Sequence, residues 1–544
     1  MNSAENEDPT FDVIVVGFGG AGACAAIAAA DAGASVLVLD RAYGGGSTYH
    51  SGGVVYAGGG TRTQREADVP DTPDNMFAYL KQETAGVVTD ETLRRFADGS
   101  PEMIEWLEAQ GLEFEGSVCP YKTSYPTNRH YLYYSGNELA TGYSEVATPA
   151  PRGHRTRAKN FSGATYYGKL RDSALAKGVT FRPLAQAKRL IVEDDTVVGV
   201  EFLAPDLTDM PTARFRNFSV FAAKMAIWYP PLGDRLNRIV ERDRLRRSKP
   251  WRARARGGVI LATGGHGFDK ALMAQHAPAW VEVPPLGTIG DDGAALALAS
   301  PVNASTGRME SISGWRFIAP PSAFMEGIVV NKQGARIANE QLYGATQTKP
   351  LIEEHGGTGF LIVGADTWRK ARSQLRTQTA FFHAPQMAYL FSPFGHRKAG
   401  SLRALAGKIG VDPDGLERTA SSYNAAIGNG DADQFGKTGD FRHPLATGPF
   451  YAINLSPNVS SAYPLKFITL GGLVVDEGSG QVVSTGGKPI PGLYAAGRSA
   501  VGICSNSYVS GLSLADGVFS GRRAGEHAAA QLSTTTHREI QETT

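Results

Sequence analysis

The first spacing with chemical meaning lies near the start of the chain, where Gly17-Phe18-Gly19-Gly20-Ala21-Gly22 forms a GxGxxG turn. Such a turn binds a pyrophosphate. Gly17 permits the tight bend, Gly19 lets backbone approach the phosphates, and Gly22 lets a helix pack against a strand. Gly20 and Ala21 open that helix, whose free N–H groups and positive dipole end face an anion. Asp40, about 20 residues on, is placed to accept hydrogen bonds from a ribose, and Arg41 follows it. These residues need a particular frame. An apolar, β-branched run, Phe11 to Val16, precedes the turn; small residues then continue at helical spacing to Ala32; a second apolar run, Ala34 to Leu39, ends at Asp40. This is a βαβ unit, and it predicts a dinucleotide without separating the flavin kind from the nicotinamide kind.

Further segments narrow the choice. Gly44-Gly45-Gly46-Ser47-Thr48, Ser51-Gly52-Gly53 and Gly58-Gly59-Gly60-Thr61 offer bare backbone for a flat ring system and its diphosphate chain. Ala262-Thr263-Gly264-Gly265 and Gly492-Leu493-Tyr494-Ala495-Ala496-Gly497-Arg498 each follow a strand-like run. Together these segments resemble the fumarate reductase and 3-ketosteroid dehydrogenase superfamily of flavoproteins, from about Asp12 to Gly525. The resemblance implies FAD as cofactor, held non-covalently. It implies contacts at Gly46, Ser47, Thr48, Ser51, Gly52 and Gly53, then at Thr263, Gly264 and Gly265, and finally at Gly497, Arg498, Ser513 and Leu514. It also places the backbone of Ala187 against the adenine.

Within that superfamily, Lys466-Phe467-Ile468-Thr469-Leu470-Gly471-Gly472 lacks the His before Thr that a dicarboxylate clamp uses. The stretch Gly334-Ala335-Arg336-Ile337-Ala338-Asn339-Glu340 with Tyr343 is similar to the ketosteroid dehydrogenase segment carrying a catalytic Tyr. Ser505-Asn506-Ser507-Tyr508-Val509-Ser510-Gly511 is similar to the segment carrying the ketone-binding Tyr, and Tyr-Val-Ser-Gly resembles the 3-ketosteroid Δ4-(5α)-dehydrogenases. The implied reaction desaturates a 3-ketosteroid, with carbon 4 losing a proton and carbon 5 a hydride to flavin nitrogen 5. Tyr508 and a backbone N–H near Gly511 would polarise the ketone, while Ser510 takes the proton with help from Tyr343. A free tyrosine titrates near pH 10, so a relay and a polarised ketone are both needed. The alternatives are desaturation at carbons 1 and 2, reduction of a Δ4-ketosteroid, fumarate-reductase-like enoate reduction, and a non-catalytic flavin-binding sensor. Tyr131, Tyr133 and Tyr134 read as stacked core aromatics before pocket residues.

Composition sets the outer bounds. With 544 residues, 42% of them apolar, and a net charge of +1, the chain is globular, exceeds one core, and carries no charge excess that points to nucleic acid. Its three cysteines, Cys24, Cys119 and Cys504, are too scattered for a disulfide framework or a metal site. A polar start and the lack of a long apolar run predict a cytoplasmic protein, at most peripheral on a membrane. The expected fold class is α/β: a Rossmann-like FAD-binding domain from 1–306 and 461–544, and a second, α+β catalytic domain from 307–460. Helix is expected from Asp74 to Leu112, opened by Thr72-Pro73, a β-meander from Val179 to Phe202, and a strand from Gly258 to Ala262. An insertion at about 207–256 is apolar and aromatic in its first half and arginine-rich in its second. It reads either as a peripheral membrane anchor over 215–250 or as a surface helical hairpin packed on protein. The expected partners are a 3-ketosteroid and a quinone-type or artificial electron acceptor.

Overall fold

The computed structural model describes residues 8–206 and 212–542. Strand β1 (Thr10–Val16) is followed by helix α1 (Gly20–Asp31) and strand β2 (Val36–Leu39), with β1 and β2 parallel and in register from Val13↔Val36 to Val16↔Leu39. Val13, Ile14 and Val15 are all fully buried, because a parallel strand covered on both faces needs apolar residues on both. Eight strands form this sheet. Its central path runs Gln481–Val483, Pro489–Ala495, Ser248–Leu261, β1, β2, Thr180–Arg182.

The strand Ser248–Leu261 has two kinds of partner. Its first half pairs antiparallel with Thr196–Pro205, and its second half runs parallel to β1 and to Pro489–Ala495. This corrects two expectations. The strand begins ten residues before Gly258, at Ser248, and the insertion ends at Arg247. Arg252, Arg254 and Arg256 belong to the sheet, where they pair with Asp8 and Glu201, with Glu193, and with Asp12. The rest of the insertion is a helical hairpin, Thr212–Trp228 and Pro230–Arg247, packed on the protein; residues 207–211 lie outside the described residues.

Two further expectations change in detail. The helical stretch from Asp74 is three helices, Pro73–Thr84, Asp90–Asp98 and Ser100–Ala109. Thr72 does cap the first, but Ala85 and Gly86 turn left-handed behind it and stop it. In place of one β-meander from Val179 to Phe202, Thr180–Arg182 extends the parallel sheet beside β2. Gln186–Glu193 and Thr196–Pro205 form a hairpin whose turn, Asp194-Asp195, has positive φ at both residues, as tight hairpins require.

The last helix, Leu512–Glu542, lies directly on α1. A Cβ on Gly521 would sit 2.5 Å from the carbonyl oxygen of Ala21, and one on Gly525 2.3 Å from that of Ala25. Only glycine permits that approach. In the chain between the strands Ser248–Leu261 and Gln481–Val483, a four-stranded antiparallel sheet (Ile328–Val330, Phe360–Val363, Phe450–Asn454, Arg397–Ala399) carries helices such as Ala365–Gln378 and Pro413–Asn429.

Ionic contacts inside the core pin the loops that face the site. Arg152 and Asp71, both with fully buried side chains, meet at 2.8 Å and 2.9 Å. Asp71 also accepts the N–H of Gly59 at 3.0 Å, while Gly58 and Gly60 donate to Ser100 and Gln64. The Gly58–Thr61 segment is thereby a structural loop, and it does not line the large cavity at the strand ends where the sequence placed it. Removing one partner of such a pair strands a buried charge. Arg152→Met is expected to cost about 3–5 kcal/mol, read as a fall in denaturation midpoint.

Candidate cofactor and active site

The carboxyl ends of β1, β2 and Ser248–Leu261 open onto a cavity of about 440 Å³. Gly17 has φ +104°, and a Cβ there would lie 2.4 Å from the Ala262 carbonyl oxygen. Gly22 is tighter: its Cβ would meet the Gly17 carbonyl oxygen at 1.9 Å. The turn therefore brings Gly17, Gly19, Gly20 and Ala21 to the cavity wall, while Gly22 stays behind it as the packing residue. From the other strand ends come Asp40, Arg41, Ala187, Thr263 and Gly264, and from the loop after β2 come Gly46, Ser47 and Thr48. Gly497, Arg498, Ser513 and Leu514 complete the inner end.

Asp40 is occupied differently from the expectation. Its carboxylate accepts the N–H of Phe18 at 2.8 Å, of Ala42 at 2.8 Å and of Gly44 at 3.3 Å, tying the glycine turn to the loop after β2. One lone-pair direction remains for a ribose. Ser51, Gly52, Gly53 and Gly265 do not line the cavity. Ser51 bonds Thr48 and Gly53, Gly52 packs under the Tyr125 ring, and Gly265 donates to Asp291 at 2.9 Å.

Sequence reasoning missed Asp291. It accepts from Arg498 at 2.6 Å, from Gly265, from Thr288 and from the Ser47 hydroxyl, so one carboxylate gathers three separate segments at the cavity floor. The signal was the glycine- and aspartate-rich stretch Gly287-Thr288-Ile289-Gly290-Asp291-Asp292-Gly293. Tyr43 and Tyr167 also line the cavity, and the hydroxyl of each is buried without a hydrogen-bond partner. A bound group rich in acceptors satisfies such atoms, and a diphosphate with two sugar-like chains is one.

Beyond the inner end lies a cluster of phenols. Ser510 and Gly511 immediately precede the last helix, whose next residues, Ser513 and Leu514, line the cavity. Gly511, at φ +96°, leaves no room for a side chain: a Cβ would lie 2.7 Å from the backbone nitrogen of Tyr56. Its N–H is directed at the Tyr508 hydroxyl. The Ser510 hydroxyl is 3.0 Å from that of Tyr133 and also faces Tyr343. The rings of Tyr343 and Tyr508 are 6.2 Å apart, and Trp315 stands edge-on to Tyr508. Tyr343, Tyr508, Ser510 and Gly511 thus come together, next to the large cavity rather than on its wall. Tyr133, read from sequence as core, joins them.

A buried polar network fixes this cluster. Glu83 accepts from Tyr79 at 2.6 Å, Asn137 at 2.7 Å and Ser507 at 2.9 Å; Asn137 in turn accepts the Tyr343 N–H at 2.6 Å. Burial pushes the Tyr508 phenol up to about 12. Burial, reinforced by the neighbouring Tyr508, holds Tyr343 well above the ordinary range, and burial raises Tyr133 as well. At neutral pH all three are hydrogen-bond donors, not phenolates.

A Rossmann-type sheet, a long cavity at its strand ends and a phenol cluster at the cavity's inner end define a dinucleotide-binding oxidoreductase with a second, α+β part. The chain belongs to the FAD binding domain family, whose profile matches residues 12–513, and its cofactor is FAD. It is 39% identical over 500 residues to the 3-oxo-5-alpha-steroid 4-dehydrogenase of Comamonas testosteroni, covering 89% of this chain and 92% of that one. The structure of 3-ketosteroid-Δ4-(5α)-dehydrogenase from Rhodococcus jostii RHA1, in complex with 4-androstene-3,17-dione, superposes with a TM-score of 0.80 at 28% identity, over 97% of this chain and 98% of the other. The 3-ketosteroid Δ1-dehydrogenase of Sterolibacterium denitrificans shares the fold, with a TM-score of 0.64 at 20% identity over 96% of this chain and all of that one.

The raised phenols have a measurable consequence. A tyrosine whose folded pKa exceeds its unfolded value contributes stability that is complete below about pH 10 and is lost as pH climbs toward the folded value. Alkaline spectrophotometric titration of the native protein is expected to leave Tyr133, Tyr343 and Tyr508 un-ionised through pH 11, and Tyr508→Phe to leave the native titration below that pH unchanged.

Proposed function

We propose that this protein is an FAD-dependent 3-ketosteroid dehydrogenase that introduces the carbon 4–5 double bond. The observation that carries the reading is the convergence of Tyr508, Ser510, Gly511, Tyr343 and Tyr133 beside Ser513 and Leu514 of the cofactor cavity. The relatives from Comamonas testosteroni and Rhodococcus jostii are named for the same bond.

In this reading a neutral Tyr508 donates to the substrate ketone, helped by the Gly511 N–H beside its hydroxyl, so charge developing on that oxygen meets a prealigned donor. That polarisation makes the carbon 4 hydrogen acidic. The Ser510 hydroxyl takes the proton while passing its own to Tyr343 or Tyr133, whose phenol gives up its proton onward to solvent, so each member of the relay ends neutral. FAD, when bound, supplies the acceptor for the hydrogen and electron pair leaving carbon 5. Gly17–Ala21, Asp40 and Arg41 hold its dinucleotide part, Ala187 meets the adenine, and Ser47, Thr48, Thr263, Gly264, Arg498, Ser513 and Leu514 flank the flavin half. We assign residues 307–460 to the catalytic domain and the remainder to the FAD domain. A quinone-type or dye acceptor reoxidises the flavin. The outward face of the hairpin, with exposed Phe218, Phe221, Tyr229 and Ile239 beside arginines, suits peripheral membrane contact. Liposome co-sedimentation that is unchanged by Phe221→Ser and Ile239→Ser would exclude that contact.

The deciding experiment is anaerobic mixing with 5α-androstane-3,17-dione. Loss of the flavin's visible absorbance, with formation of a conjugated enone of matching mass, is expected. Bleaching only by androst-4-ene-3,17-dione would instead assign the Δ1 reaction. Tyr508→Phe is expected to keep the yellow colour and to lower kcat about 10²–10³-fold, the usual worth of one oxyanion donor.

A further inference from the structure

The helical hairpin between Pro205 and Ser248 has an inward face that the reaction above does not use. Its first helix turns Arg216, Ser219, Val220 and Ala223 to the large cavity; its second turns Asn237, Val240, Glu241 and Arg244 to the same cavity. Both sets follow i, i+3, i+4, i+7 spacing, so each helix presents one continuous stripe. These stripes share the cavity with Asp40, Arg41, Tyr43 and the Leu184–Ala187 segment, which is the adenosine end.

The hairpin is fastened there by Arg244 and Phe215. Arg244 is buried and donates to the Gln186 side chain at 2.7 Å and to the Leu184 carbonyl at 3.3 Å, while Glu241 neutralises it at 2.7 Å. Phe215 packs with Leu184, Tyr43 and Val240. Gln186 is the residue before Ala187, so the anchor of the hairpin and the adenine-facing backbone are one segment. Two polar groups at this end are buried on the cavity: the Asn237 amide, a group able both to donate and to accept, and the Tyr43 hydroxyl, which has no partner.

We propose that the hairpin Thr212–Arg247 is a cap over the adenosine half of FAD that sets how slowly the cofactor leaves, with Asn237 and Tyr43 as its hydrogen-bonding contacts and Arg244 as the positioning residue that holds it shut. The proposal rests on FAD being the cofactor and not on the identity of the substrate. Without the cap, the adenosine would lie against strand ends with one face in water. With it, the Asn237 amide faces the ligand and the partnerless Tyr43 hydroxyl gains an acceptor, which favours the loaded state.

The test uses the full-length apoprotein, with FAD and ADP as probes, because ADP carries the adenosine half alone. Dissociation constants come from calorimetry and FAD release rates from stopped-flow fluorescence. Asn237→Ala is expected to weaken both ligands by about five- to tenfold, the worth of one hydrogen bond. Arg244→Met is expected to speed FAD release by at least as much, and Arg244→Lys to restore part of it. Ile239→Ser, on the outward face, is expected to change neither constant. Unchanged FAD and ADP constants in both Asn237→Ala and Arg244→Met, with wild-type protein binding FAD, would overturn the cap alone. Wild-type apoprotein that takes up no FAD would overturn the cap and the cofactor assignment together.

Discussion

Backbone meets backbone at three places around α1, and the cavity exists because it does. At Gly22 the helix touches the carbonyl of Gly17, at Gly17 the turn touches the carbonyl of Ala262, and along Gly517, Gly521 and Gly525 the last helix lies on Ala21 and Ala25. Each glycine inside a helix lowers intrinsic helix stability by about 1 kcal/mol relative to alanine. The contact geometry explains why that cost is carried. A single methyl group at Gly22 would push the helix off the strand, carry its free N–H groups away from the strand ends, and open the floor on which Arg498 and Asp291 meet.

The inner end obeys a different constraint, the satisfaction of buried polar groups. Glu83 and Asn137 join a helix near position 80, the loop around position 137, Tyr343 and Ser507, segments separated by hundreds of residues. Such a network holds only when every member is paired, which makes the placement of Tyr343 and of the Tyr508 loop nearly all-or-none. The same burial keeps the phenols protonated. Under the proposed function, a site built from neutral donors would stabilise developing enolate charge without presenting a standing negative charge to an apolar substrate.

What was legible in the sequence was local. The β1–α1–β2 unit, the strand ending in Ala262-Thr263-Gly264 and the Tyr508–Gly511 segment each announce themselves within a dozen residues, through periodicity or through likeness to a known pattern. What was missed depends on partners far along the chain. Asp40 has the spacing of a ribose acceptor, yet its carboxylate is largely taken up by the N–H groups of Phe18, Ala42 and Gly44. Tyr133 looked like any core aromatic because its partner, Ser510, is 377 residues away. Arg252, Arg254 and Arg256 alternate at a strand's period of two, but that signal was submerged in the arginines of the helix before them. Gly58–Gly60 misled in the opposite direction: bare backbone was present, but Asp71, Ser100 and Gln64 had already claimed it.

The last helix is a rigid rod seated on α1, and it begins where the two halves of the site join. The residues just before it carry the phenol and hydroxyl cluster; those just after its start line the cofactor cavity. Because both sets are fixed to one end of the same rod, they share a single alignment. A slip of the rod along α1, or a turn by one residue, would displace the cavity-lining residues and the phenol and hydroxyl cluster in concert. Under the proposed function, affinity for the flavin and reactivity toward the substrate are therefore one structural trait, and selection acting on either is felt by the other.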